Sequence, residues 1–242
     1  MLNASVYEFP SGRSVLSEHH SYPCDLVDDL PDVPALPETL LAMELQLRGG
    51  SVDLGGVSEI VLGDLGATIQ VLRLAGREYE TAEWRPVRIE DCISDLGLEA
   101  CLCAAASAAP VKSARQRAIV ETWTHAREIA HCSRLLAEEM PGSINPNRAY
   151  IAGLLHVLGS LPKVLGWGRH DLAGDPALSA LRMAERWAFP GFLKDFFCET
   201  SMPGYGSHWS ELMSAAHDLA MDSSARCPLF EAVPMRKLST RM

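Results

Sequence analysis

Apolar residues recur along this chain at helical spacing, in short segments separated by glycine, proline and acidic breaks. Glu38 to Leu47 carries Leu40, Leu41, Leu45 and Leu47, and Gly49-Gly50 stops it. Ser51 or Asp53 is placed to cap a second helix with Leu54, Val57, Ile60 and Val61 on one face. Gly63-Asp64 breaks that helix, and Leu65 to Ala75 resumes until Gly76. After a polar connection over 77–88, Ile89 to Leu96 and Leu98 to Ala109 predict two more helices. The second of these is alanine-rich and nearly uncharged, which predicts a place at the centre of the fold. A long amphipathic helix follows over Arg115 to Met140, stopped by Pro141-Gly142. Asn145-Pro146 opens Asn147 to Val157, which is apolar almost throughout.

Leu158 to Trp167 is a short apolar piece interrupted by Pro162. Pro176 to Trp187, Gly191 to Thr200 and Ser207 to Met221 predict the last three helices. No alternating apolar and polar segment runs longer than three or four residues, so the predicted fold class is all-α. Short turns between the early helices favour antiparallel or angled neighbours. The first 32 residues, with Pro10, Pro23, Pro31 and the acidic stretch Asp25 to Asp32, predict a loosely ordered leader. Residues 33–222 are the expected packed domain, and 223–242 a charged tail carrying Arg236, Lys237 and Arg241.

Composition narrows this picture. With 242 residues, 48% of them apolar, the chain can bury a core without disulfide staples. The 7 cysteines form no C-x-x-C pair, so neither a zinc knuckle nor a thioredoxin-type motif is supported. They read as reduced thiols. No apolar run approaches the roughly 18–20 residues of a membrane helix, and Met1 to Pro10 lacks the pattern of a secretory signal. No membrane association and a cytoplasmic location are expected. The net charge of −10 argues against direct binding to nucleic-acid phosphates. Much of it lies early, with eight acidic against two basic residues in positions 1–50.

The histidines carry the most chemical information. His125 lies on the long helix, His156 ends the apolar helix, and His217 stands beside Asp218 in the last helix. Potential ligands on three separate helices are how bundles commonly build metal sites. Each could also be a core histidine satisfied by a hydrogen bond. Lys112, Arg115 and Arg117 cluster before the long helix, with Arg85 and Arg88 earlier. Such residues could contact a phosphate or a cyclic dinucleotide bidentately, or simply form a solvated helix start. Trp167, Phe192, Phe196, Phe197, Tyr205 and Trp209 crowd the last third. Most of the phenylalanines read as core, and some of them with Trp209 as a partner-binding patch.

Several of these segments resemble one family. Leu36-Pro37-Glu38, Ser51 to Leu54, Val71 to Ala75 and Ile89 to Gly97 look like the start of an HDOD domain. Trp123-Thr124-His125 and the run Ala149 to Gly159 look like its middle, and Trp187 to Pro190 with Ala216 to Ala220 like its end. The resemblance covers about residues 33–222 and implies a two-lobed multi-helix bundle, with an N-terminal lobe over 33–112 and an HD-like lobe over 113–222. HDOD domains resemble the HD and HD-GYP phosphohydrolases, which hold divalent metals through a histidine, a His-Asp dyad and a later aspartate. His125 matches the first histidine and His156 the dyad histidine. Val157 stands where the dyad aspartate belongs and cannot ligate a metal. His217 or, one residue on, Asp218 matches the later aspartate. His125, His156, His217 and Asp218 are therefore read as vestigial, with no catalytic residue, metal or cofactor expected.

The resemblance then implies a non-catalytic regulatory or scaffold domain, a pseudoenzyme of bacterial signal transduction, working through protein partners or a small signal such as a cyclic nucleotide. The alternatives are a divergent metal-dependent phosphohydrolase on His125, His156 and His217 or Asp218, and a cyclic-nucleotide sensor using Arg115 and Arg117. An HDOD-like domain of this length leaves no room for a separate output module.

Overall fold

The polar residues that interrupt the apolar pattern act as helix caps. Asp53 accepts from the Gly55 N–H at 3.2 Å, and Asp64 from the Ala67 N–H at 3.1 Å. Asn145 accepts from Asn147 at 3.0 Å and Arg148 at 3.3 Å, and Asp175 from Ala177 at 2.9 Å. Each satisfies an N–H that has no partner inside its own helix. Pro37, Pro146 and Pro176 open their helices at first-turn positions, where a missing N–H costs nothing.

The computed structural model describes residues 30–50, 52–79, 88–108, 113–140, 144–167, 175–201 and 207–226. Lys112, Arg85, Tyr205, the leader before residue 30 and the tail after 226 lie outside them. Among the described residues the chain is helical with no strand. In order the helices are α1 (Pro37–Arg48), α2 (Leu54–Leu62), α3 (Leu65–Glu78), α4 (Ile89–Leu96), α5 (Leu98–Ala106) and α6 (Ser113–Glu139). Then come α7 (Pro146–Leu155), a single tight turn over Leu158–Ser160, α8 (Leu161–Leu165), α9 (Pro176–Arg186), α10 (Gly191–Ser201) and α11 (His208–Arg226). Helices α1 to α5 pack mainly on one another. In the second half α6 packs on α7, α8 and α11, and α10 on α9 and α11.

The central helix of the first group is α3, and not the alanine-rich α5. Of α5 only Leu98, Cys101 and Ala105 are buried, whereas eleven residues of α3 are. Alanines have too little side chain to need covering on every side. The leucines and isoleucine of α3, with its Gly and Ala positions, let neighbours approach from all directions. It even buries Thr68, Gln70 and Arg73. Gln70 donates to the Val33 carbonyl at 3.1 Å, and Arg73 pairs with Asp32 at 2.7 Å and lies over the Trp187 ring at 4.8 Å. Leu30 is also buried, so the chain enters the core before residue 33. The apolar face predicted for α1 points differently too. Met43 and Thr39 are buried, while Leu41 and Leu45 are 56% and 61% exposed.

The aromatic cluster of the last third turns inward. Phe196, Phe197 and Trp209 are buried, with Phe196 5.3 Å from Trp209 and 4.9 Å from Phe197, centroid to centroid. They are core, so Trp209 does not offer with Phe196 and Phe197 the partner patch expected of it. Their helices need that anchor because α10 and α11 meet there.

Asp64 joins the two groups of helices. Its carboxylate, 1% exposed, accepts from Leu36 N–H at 2.7 Å, Ala67 N–H at 3.1 Å and the Trp123 indole N–H of α6 at 3.0 Å. The Thr39 hydroxyl adds a further hydrogen bond. Tyr150 of α7 reinforces the junction by donating to the Leu62 carbonyl at 3.2 Å. Burial pushes the Asp64 carboxyl above its ordinary 3.8, against the pull of its donors.

Substitutions test this joint directly. Asp64→Ala leaves three N–H donors facing no acceptor and costs about 3 kcal/mol in urea unfolding; an unchanged midpoint would refute the joint. Because the folded carboxyl binds its proton more tightly than the unfolded one, protonation favours the fold. The stability of wild type relative to Asp64→Asn is therefore largest below the ordinary carboxylate range. It falls as pH rises through the raised value, then levels. A difference that grows with pH would contradict the burial argument. Separately, a Cβ on Gly153 would lie 2.7 Å from Ser133 Oγ and 2.8 Å from Ala130 Cα. Gly153→Val forces α6 and α7 apart and lowers the melting temperature by roughly 5–10 °C; unaltered melting would show that the crossing can relax.

Candidate functional site

The three histidines singled out from sequence meet in space. His125 projects from the middle of α6, His156 caps the C-terminus of α7, and His217 lies in α11. One ring nitrogen of each lies within 4.8 Å of the other two. Ring centroids are 5.1 Å apart for His125 and His156, 5.6 Å for His125 and His217, and 5.0 Å for His156 and His217. Local sequence explains the placement. Gly153 lets α7 lie against α6, so His156 comes over the turn that carries His125. Ala216 is buried, and the residue after it turns toward the same point.

Hydrogen bonds set the ring orientations. His156 Nδ1–H donates to the Gly153 carbonyl at 2.6 Å, and His217 Nδ1–H to the Met213 carbonyl at 2.8 Å. Both acceptors lie one turn back on the same segment. Each bond leaves Nε2 as the bare nitrogen, aimed away from its own backbone. His156 Nε2 is 3.2 Å from His125 Nε2. Burial pushes the His156 imidazole down to about 4, and lowers His125 as well, with the neighbouring His217 adding to both effects. His125 and His156 are thus held toward their neutral forms.

What surrounds it matters as much. Val157, at the dyad position, is 9% exposed and packs into the core. Asp218 is exposed on α11, and among the described residues no carboxylate oxygen joins the cluster. Between the two readings of the last ligand position, the structure brings His217 to the others. A carboxylate-bridged metal pair of the HD type therefore does not fit these residues, because its oxygen donors are missing.

The basic residues are placed elsewhere. Arg115 donates from Nη1 to the carbonyls of Lys163 at 3.1 Å and Val164 at 3.2 Å, capping the end of α8. Arg117 pairs with Glu121 at 2.7 Å one turn along α6. Arg88 pairs with Glu90. His131 sits edge-on to Tyr150 at 5.2 Å and belongs to the α6–α7 packing. Two buried polar residues that tie distant parts of the chain together, Asp64 and Arg73, are not evident from the sequence. Asp64 was legible only as a helix break, and a charged residue in a local apolar run shows no sign of its remote partners.

Among the described residues the chain is all-helical, with a histidine cluster between three helices of its second half. The HDOD domain profile matches residues 33–165, more than half of the chain, and the chain belongs to the HDOD family. It is similar in structure to the MmoQ response regulator of Methylococcus capsulatus. That likeness has a TM-score of 0.64 at 19% identity, over 84% of this chain and 90% of that one. A virulence factor from Campylobacter jejuni gives 0.52 at 16% identity, over 79% of this chain and 78% of that one. At these identities the likeness is one of fold. Curated protein sequences give no match. The described helices include none long and apolar enough to cross a membrane.

The tautomers are directly measurable. Long-range nitrogen–proton correlation at neutral pH, in metal-free protein, shows His156 and His217 protonated on Nδ1 with bare Nε2. An Nε2–H form at His156 would mean that the Gly153 contact does not orient the ring.

Proposed function

We propose that this HDOD protein is a non-catalytic regulatory domain of bacterial signal transduction that acts by binding another protein. The observation that carries this reading is the composition of the histidine cluster. Turnover at an HD-type centre draws on carboxylates that bridge metals and activate water. Here Val157 is apolar and packed, and Asp218 faces solvent. Retaining the helical frame while losing the oxygen donors suits a scaffold. The exposed Leu41 and Leu45, one turn apart on α1, supply apolar surface of the kind a protein partner covers. The cyclic-nucleotide reading has less support. Arg115 is committed to capping α8 and Arg117 to Glu121, so neither is held ready for a phosphate.

Purified protein is expected to release no product from cyclic dinucleotides or nucleoside phosphates in Mn²⁺ or Mg²⁺. Hydrolysis that disappears in His156→Ala would overturn the reading. Cross-linking in the source cells tests the positive half. The doubly substituted Leu41→Glu, Leu45→Glu protein should melt within about 2 °C of wild type, as exposed changes do, yet lose cross-links that wild type forms. Identical cross-links in both would remove α1 as the contact.

A further inference from the structure

The histidine cluster turns more lone pairs than protons toward its own centre. His156 and His217 have each given Nδ1–H to a backbone carbonyl, so each presents a bare Nε2. His125 can place one proton on Nε2, and that proton can serve His156 at 3.2 Å. Nothing among the described residues donates to the remaining nitrogen of His217. Two ring nitrogens whose partner N–H is already given to a carbonyl, and one proton to share between them, are thus brought together from three helices. A cation at their centre would accept all three lone pairs.

The spacing suits such an ion. A tetrahedral metal with bonds of about 2.0–2.1 Å holds its nitrogens roughly 3.3 Å apart. His125 and His156 are already at 3.2 Å. The widest separation is within 4.8 Å, and closing it takes a shift of roughly 1.5 Å, within reach of a small rotation of the His217 ring. The backbone carbonyls of Gly153 and Met213 act as the outer partners that commonly fix a ligating imidazole. The donor set also selects the ion. Three imidazoles without carboxylate or thiolate suit zinc and its late neighbours, whereas magnesium, manganese and calcium prefer oxygen.

We infer that His125, His156 and His217 bind one divalent late transition metal of the zinc class, and that the ion ties α11 to α6 and α7. This is a different centre from the carboxylate-bridged HD type, which the residues do not fit. It is independent of the partner-binding reading. A site that crosses three helices rigidifies the second half of the fold, and its occupancy would set how firmly α11 is held.

The experiment uses the full chain, stripped with a chelator and dialysed. Zinc is expected to bind at one equivalent per chain, retained through gel filtration. Free zinc at a hundred times its Kd should raise the melting temperature by roughly 5–10 °C. Magnesium at the same concentration should leave it unchanged. Cobalt in place of zinc should give the visible absorption of a four-coordinate ion. His217→Ala and His217→Gln should each weaken zinc binding by at least about 100-fold, while His131→Ala should not. Circular dichroism of each metal-free variant confirms that it folds, and the two substitutions at His217 guard against one of them failing to. Absence of stoichiometric zinc in wild type, or equal weakening by His131→Ala, overturns the site. Hydrolysis by the zinc-loaded protein would instead leave the site standing and overturn the scaffold reading.

Discussion

A single buried carboxylate holds the two groups of helices in register. Asp64 ends the break between α2 and α3, caps α3 through Ala67, fixes the entry of α1 through Leu36 and receives the Trp123 indole of α6. A carboxylate buried this far loses its hydration, and only a full set of donors makes the position tolerable. The cost and the compensation come from different parts of the chain. That is why the contact specifies a relative placement of helices where general apolar packing would allow several. Through Trp123, two residues before His125, this joint ties α6 to the first group of helices.

The second constraint is close backbone approach. Gly153 lets α7 lie on α6 near Ala130 and Ser133. Gly159 does the same against Pro176, where a side chain would collide with the carbonyl. Together they bring His156 over His125 and lead the chain on toward α9. Helix ends then finish the work. Because His156 sits at the C-terminal end of α7, its Nδ1–H reaches a carbonyl one turn back, and the opposite face of the ring points outward from the helix. His217 repeats the device in the middle of α11. His156 and His217 are therefore oriented by backbone carbonyls, with no carboxylate needed to hold their rings.

This separates two properties that usually travel together. The helical frame and the histidine cluster are present, while among the described residues no oxygen donor of the kind that suits hard catalytic metals joins the cluster. The same geometry that disfavours an HD-type reaction favours a softer ion. The proposed partner surface and the proposed metal site are thus compatible in one molecule, one on α1 and the other between α6, α7 and α11.

Helix positions were legible in the chain's apolar spacing and in its Gly, Pro and Asp punctuation, because caps and breaks act within a few residues of themselves. His125, His156 and Val157 were identified by local runs around them. Whatever depends on direction was not legible. The spacing of Leu40, Leu41, Leu45 and Leu47 showed an apolar α1, but only packing decided that Leu41 and Leu45 face outward. The alanine-rich α5 looked central, yet α3 took that place because its leucines and its polar Gln70 and Arg73 found partners far along the chain. Trp209 could have been surface or core, and its contact with Phe196 made it core. The choice between His217 and Asp218 was likewise open, since neighbours on a helix point about 100° apart and only the rotation of α11 against α6 selects one. Sequence by itself determined which segments are helices and which donor types the chain can offer. Tertiary structure decided which of those donors meet, because that depends on helix rotation and approach between residues distant in the chain.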